Sequence, residues 1–174
     1  MFEEEIKKDL KMYLTMLDKV DERLPEAPDI EEKWEPIAKA YIPDGIREFG
    51  AYPTVSLGWM MYVGMAVAKM WDEDWERYSA LGNIYLHLRD QRGYDCMDEY
   101  VRQDILHLMG NEYKEMESLV AECASRTHSK LRRANYEPGT KDAFNAYVCC
   151  LHQMYLMGAA VQLKAMGYRM TQVS

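Results

Sequence analysis

Helix breakers are in short supply. Five of the six prolines fall between Pro25 and Pro53, and only ten glycines are spread over 174 residues. With no strand pattern of useful length, this excludes a turn-rich β architecture and predicts an all-α fold. Cysteine is also sparse: Cys96, Cys123, Cys149 and Cys150, with no CxxC spacing. That excludes the usual zinc and dithiol motifs, and neighbouring cysteines on a helix are badly placed to pair with each other. The acidic start, Met1-Phe2-Glu3-Glu4-Glu5, lacks the basic and apolar regions of a secretory signal. Reduced thiols in a cytoplasmic protein is the expectation.

Positive charge is deficient, and the net charge is −8. Residues 1–50 carry eight basic against fourteen acidic groups, and residues 51–110 carry five against nine. Residues 111–174 reverse the balance with eight against six. An acidic body repels phosphate backbones, so nucleic acid is not an expected partner. Signatures of a defined chemistry are missing too. The chain has no Walker loop, no GxGxxG after a strand, no GxSxG elbow and no HExxH. No cofactor is called for, and no reaction is fixed by the residues alone.

What is present is apolar helix. Hydrophobic residues make up 48% and charged residues 29%, a globular composition large enough for a real core. The pattern predicts a single helical domain, residues 1–174, a bundle of about six helices. The first runs from Glu3 to Leu24, with Ile6, Leu10, Tyr13, Leu17, Val20 and Leu24 on a narrow seam. Asp29 with Glu32 has capping-box spacing and opens the second helix, which Pro43-Asp44-Gly45 breaks or sharply bends. The third spans Val55 to Met70. Asp72 or Asp74 caps a fourth, which Gly93 closes. The fifth runs from Asp95 through Cys123 with a bend at Gly110-Asn111, and the sixth from Lys141 to about Ala165.

Two segments are apolar on every side: Tyr52 to Trp71, with Lys69 its only charge, and Ala143 to Leu163, with none. Such helices must be buried by other helices, by a partner chain or by lipid. Residues 55–68 fall short of the roughly 20 needed to span a bilayer. The second segment carries Asn145, His152, Gln153 and Gln162, so no membrane insertion is expected. A six-helix bundle has room for about one helix enclosed on all sides. The other is predicted to face a second copy in a two-fold homodimer, with Gly64 and Ala68, or Gly158 and Ala159, at the seam. The fourteen methionines read as adaptable core filling.

Four groups are candidate sites. Trp71-Asp72-Glu73-Asp74-Trp75 with Tyr78 suits a cationic ligand, although the same residues cap and seat a helix. Tyr94-Asp95-Cys96-Met97-Asp98-Glu99 gathers three carboxylates at a helix start. His87 with Asp90 and Asp104 with His107 place His and Asp three apart, a spacing that two antiparallel helices could converge on one metal. His152, three residues after Cys149, reads as a hydrogen-bonded core histidine. The basic group Arg126, His128, Lys130, Arg132 and Arg133 complements a helix C-terminus; otherwise it would recognise a small phosphate-bearing ligand or an acidic protein surface.

The functional expectation is a non-enzymatic protein–protein interaction module that self-associates. The alternative is a ligand- or metal-binding enzyme with a pocket between the third, fourth and fifth helices. Trp59, Trp71, Trp75, Tyr78 and His87 would line that pocket, with Asp98, Asp104 or His107 as polar groups.

Overall fold

Helix α1, Phe2–Met16, carries the seam Ile6, Leu10 and Leu14 and stops eight residues before the expected end. The stop is a left-handed Asp18 (φ 59°), with Lys19 N–H donating to Leu14 O at 2.8 Å and Asp18 N–H to Thr15 O at 3.0 Å. This is the closure that glycine usually makes, so an aspartate in its place gives little warning. A short α2, Pro28–Glu32, follows. The expected capping box is not formed: Ala27 is the cap residue, and Asp29 accepts a hydrogen bond from Trp71 Nε1 at 3.1 Å instead.

Helix α3, Trp34–Ala51, runs unbroken through Pro43-Asp44-Gly45, against expectation. Gly45 makes room rather than a turn, because a Cβ there would strike the Tyr147 hydroxyl and the Tyr41 ring. Tertiary packing of those two rings overrides the local breaker signal. Helix α4, Pro53–Ser79, starts where predicted and continues past Met70. Asp74 kinks it (φ −164°, ψ 78°), and its Oδ1 accepts from Arg77 N–H at 3.3 Å, so the predicted cap is present within a nearly continuous rod.

The next true break falls at Ala80–Asn83. Asn83 caps α5, Ile84–Arg92, through Leu86 N–H at 3.1 Å, and Gly93 (φ 85°) closes it as expected. The long fifth helix does not exist as one piece. A 3₁₀ turn at Tyr94–Cys96, α6 at Met97–Tyr100 and a π turn at Val101–Ile105 precede a link that ends in α7, Gly110–Arg133. The apolar period continues across this junction, but His107 and Gly110 both adopt positive φ and redirect the chain. Thr140 caps the last helix, α8, Lys141–Ala165, accepting from Ala143 N–H at 3.2 Å.

The computed structural model describes residues 1–168. Within them α4 and α8 form a central pair, covered by α1, α3 and α7. Nearly every α4 residue from Ser56 to Met70 is buried, and Ala146 to Leu163 of α8 is interior apart from a few partly buried side chains. Both apolar helices are therefore enclosed by one subunit. The surplus apolar helix on which the homodimer expectation rested is thus covered within the subunit. Gly64 and Gly158 are the reason. A Cβ at Gly64 would collide with the Tyr155 carbonyl, and one at Gly158 with the Met61 carbonyl. Each helix thus lies backbone-close on the other and hides a stripe that wider spacing would leave uncovered. Met60, Met61, Met65, Met154 and Met157 are fully buried, consistent with core filling. No helix among the described residues is long and apolar enough to cross a membrane.

Candidate functional site

A large open cleft lies at one end of the molecule, between the end of α3, the end of α7 and the start of α8, with a volume of about 610 Å³. Helix α3 supplies Ile46 and Phe49, and α7 supplies His128, Leu131 and Arg132. The connecting segment supplies Asn135, Tyr136 and Pro138, and α8 supplies Ala143, Phe144 and Tyr147. The helix spacing sets these positions. Residues 128, 131 and 132 share one α7 face, and 143, 144 and 147 share one face of α8. Asn135 (φ 54°) and Gly139 (φ 79°) turn the chain sharply enough to bring the two faces together.

The floor is closed and polar-satisfied. Tyr147 O–H donates to Ser56 Oγ at 2.5 Å, and Ser56 Oγ donates to Gly45 O at 2.8 Å. Tyr41 O–H donates to Ser56 O at 2.5 Å. Burial keeps the Tyr147 phenol protonated well above its ordinary range, against the Ser56 hydrogen bond, so it is not a base at neutral pH. Phe49 holds one wall, edge-on to His128 at 5.8 Å and to Tyr147 at 5.0 Å. Ile46 and Phe144 stand at the mouth, 46% and 42% exposed.

Among the described residues no aspartate or glutamate lines this cleft, although the chain as a whole carries −8. Its charged lining groups are Arg132 and His128. Burial, and then the Arg132 charge, hold the His128 imidazole below its ordinary value of 6.5. Among the described lining residues Arg132 is accordingly the one fixed charge at neutral pH. The basic group noted in the sequence divides in the fold. Arg126 is structural, paired with Asp9 at 3.5 Å and Glu122 at 3.2 Å and lying over the Tyr13 ring at 4.4 Å. Among the described residues Arg132 has no ion-pair partner.

The site residues singled out from the sequence are dispersed. Trp59 Nε1 donates to Tyr94 O at 2.8 Å, while Trp71, twelve residues along the same helix and so about 18 Å away, binds Asp29. Asp72 accepts the Tyr168 hydroxyl, Trp75 faces the Lys33 ammonium at 5.9 Å, and Tyr78 lies under Arg77 at 5.1 Å. Asp98 pairs with Arg102, which is 2% exposed, also pairs with Glu117 and stacks over Tyr113 at 4.0 Å. These side chains tie helices together and do not converge on one pocket.

The metal alternative fares no better. Asp90 pairs with Arg89 at 3.2 Å, and Asp104 with Arg92 at 3.0 Å. His87 lies on α5, and His107 occupies the exposed link before α7. Among the described residues no group of three or more His, Cys, Asp or Glu is placed to hold a metal ion.

His152 is hydrogen-bonded as expected, by partners that sequence separation had hidden. Its Nδ1 lies 2.7 Å from Glu3 Oε2 and its Nε2 lies 2.8 Å from Glu31 Oε1. Both ring nitrogens are thus within hydrogen-bond distance of a carboxylate. Trp34 stacks on the ring at 5.0 Å. Burial works to raise the Glu3 pKa, but hydrogen bonds from Gln153 and His152 outweigh it and hold the carboxyl below 4.5. The His152 ring clasps α1 and α2 to α8.

No protein-family model, curated protein or solved structure matches this chain. What the described residues define is an all-helical protein with a buried core and a large, side-opening apolar cleft whose described lining holds no acid.

Proposed function

We propose that the chain is a non-enzymatic binding protein, and that the cleft between α3, α7 and α8 is where it takes its ligand. The observation that carries this reading is an apolar cleft of about 610 Å³ in an acidic body. Its size lies in the range of small-molecule sites, and its walls are aromatic and aliphatic with a few polar groups on one side. The expectation of a protein–protein module rested on surplus apolar helix. With both such helices enclosed, the open apolar surface to be explained is this cleft.

The test is titration with N-phenyl-1-naphthylamine, a neutral dye that brightens and shifts to the blue in apolar surroundings. Saturable enhancement by the wild-type protein, abolished by Phe144→Glu at an unchanged helical signal, is expected. Absence of enhancement, or equal enhancement in the variant, overturns the reading. Self-association through the same rim is a second reading, favoured by the exposed Ile46 and Phe144. A dimer mass by light scattering that falls to monomer in Phe144→Glu supports it, and a monomer mass in the wild type refutes it. We assign the protein to the cytoplasm, a placement supported by its four unbridged thiols.

A further inference from the structure

The cleft is polar on one wall only. Leu131, Pro138, Ala143 and Phe144 offer hydrocarbon, as do Ile46 and Phe49 from α3. The polar side chains His128, Arg132, Asn135 and Tyr136 all come from the end of α7 and the residues just beyond it. Thr140, the other polar lining residue, has its hydroxyl committed, donating to Glu137 O at 2.6 Å and accepting from Ala143 N–H at 3.2 Å. At the floor the Tyr147 hydroxyl is committed to Ser56. The deep part of the cleft therefore asks nothing polar of a ligand, and the α7 wall offers an unpaired guanidinium beside an imidazole.

We propose that the cleft binds a long-chain carboxylate, a monoanionic amphiphile of the fatty-acid class. Its headgroup sits at Arg132 and His128, and its chain lies between Phe49, Leu131 and Phe144. Three features select this chemistry. Among the described residues the lining contains no acid to repel an anion, in a protein where acids outnumber bases by 29 to 21. One guanidinium presents a planar fork that fits one carboxylate, whereas a dianionic phosphate asks for several cations. The apolar walls match a hydrocarbon chain, whose burial takes its methylenes out of water. Arg132 also lies in the last turn of α7, where a cation complements the helix dipole. That role requires charge near the helix end, but it does not require the charge to line an apolar cleft.

The proposal rests on the cleft being the binding site, and the experiment separates the two. Decanoate, decanol and decyltrimethylammonium, each below its aggregation limit, compete for bound N-phenyl-1-naphthylamine at pH 7.5. Decanoate is expected to displace the dye at about tenfold lower concentration than decanol, with the ammonium weakest. Arg132→Gln should remove that preference by weakening decanoate about tenfold while leaving decanol within twofold. Arg133→Gln, adjacent but outside the lining, should keep it. Dye binding with decanol competing as well as decanoate overturns the carboxylate assignment and leaves the cleft reading intact. So does an Arg132→Gln variant that retains the preference. Failure of the dye to bind sinks the cleft reading itself.

Discussion

Adding one methyl group at Gly158 tests how the two apolar helices are hidden. Two opposing effects set the outcome. In an exposed helix interior, glycine to alanine stabilises by about 0.5–1 kcal/mol through lower unfolded-chain entropy and better helix propensity. At Gly158 the new Cβ would strike the Met61 carbonyl and lie against its Cα, all of it backbone. No side-chain rotation relieves such a clash, so the helices must separate by about an ångström, enough to forfeit a quarter to a half of each dispersion contact across the seam. Overpacking of a core commonly costs about 1–3 kcal/mol and sometimes more, and a backbone clash belongs at the upper end. Against the propensity gain, Gly158→Ala should destabilise by about 2–3 kcal/mol, lowering the Tm by about 5–10 °C for a domain of this size. Gly64→Ala, clashing with the Tyr155 carbonyl at the same crossing, should act alike. The pair should lose at least about 1 kcal/mol less than the sum, since one separation relieves both clashes. Urea unfolding followed by circular dichroism and tryptophan fluorescence measures all three. Gly50→Ala is the control: nothing lies within 4 Å of its added Cβ, and it should stabilise slightly. A Gly158→Ala protein as stable as the wild type would refute the close crossing.

Other outcomes follow from single contacts. Thr140→Ala removes the α8 cap and should lower the urea midpoint by an amount equivalent to about 1 kcal/mol at unchanged slope. Arg102→Ala strips Asp98 of its cation, where burial already raises that carboxyl's pKa. It should cost about 2–3 kcal/mol, less than a fully buried pair because Glu117 is open to solvent. The Glu3 carboxyl has a folded pKa below 4.5, so its contribution is complete above that value and is lost as pH falls through the folded one. Glu3→Gln should therefore flatten the decline in stability between about pH 5 and pH 3, and a denaturation series with an unchanged slope would refute the clasp.

Local periodicity and end signals carried much of the fold. Residues 141–165 read as one helix from their apolar content and length, and the Thr140 cap found in the structure agrees with that start. The stop at Gly93 and the cap at Asp74 are equally local. The misread boundaries share a cause: local signals that tertiary contacts overrode or that unusual residues supplied. Pro43-Asp44-Gly45 reads as a break, yet the glycine exists to admit Tyr41 and Tyr147. The long fifth helix reads as continuous, yet a π turn and a left-handed Gly110 divide it.

The candidate site was less legible. Arg132 and His128 stood out as part of a basic group, but the cleft they line joins Ile46 and Phe49 to residues roughly eighty or more positions away. His152 was visible as a polar residue in an apolar helix, while Glu3 and Glu31 lie 149 and 121 residues from it.

Composition and spacing by themselves determined that the chain is helical, that two of its helices shun water, and that its last third is the basic one. Only the tertiary structure decided that those two helices shield each other, because the cost of a Cβ depends on which backbone lies opposite it. It likewise decided which cation lines an apolar cleft and which is consumed in an ion pair, since a charge acquires its role from neighbours that the folded chain brings to it.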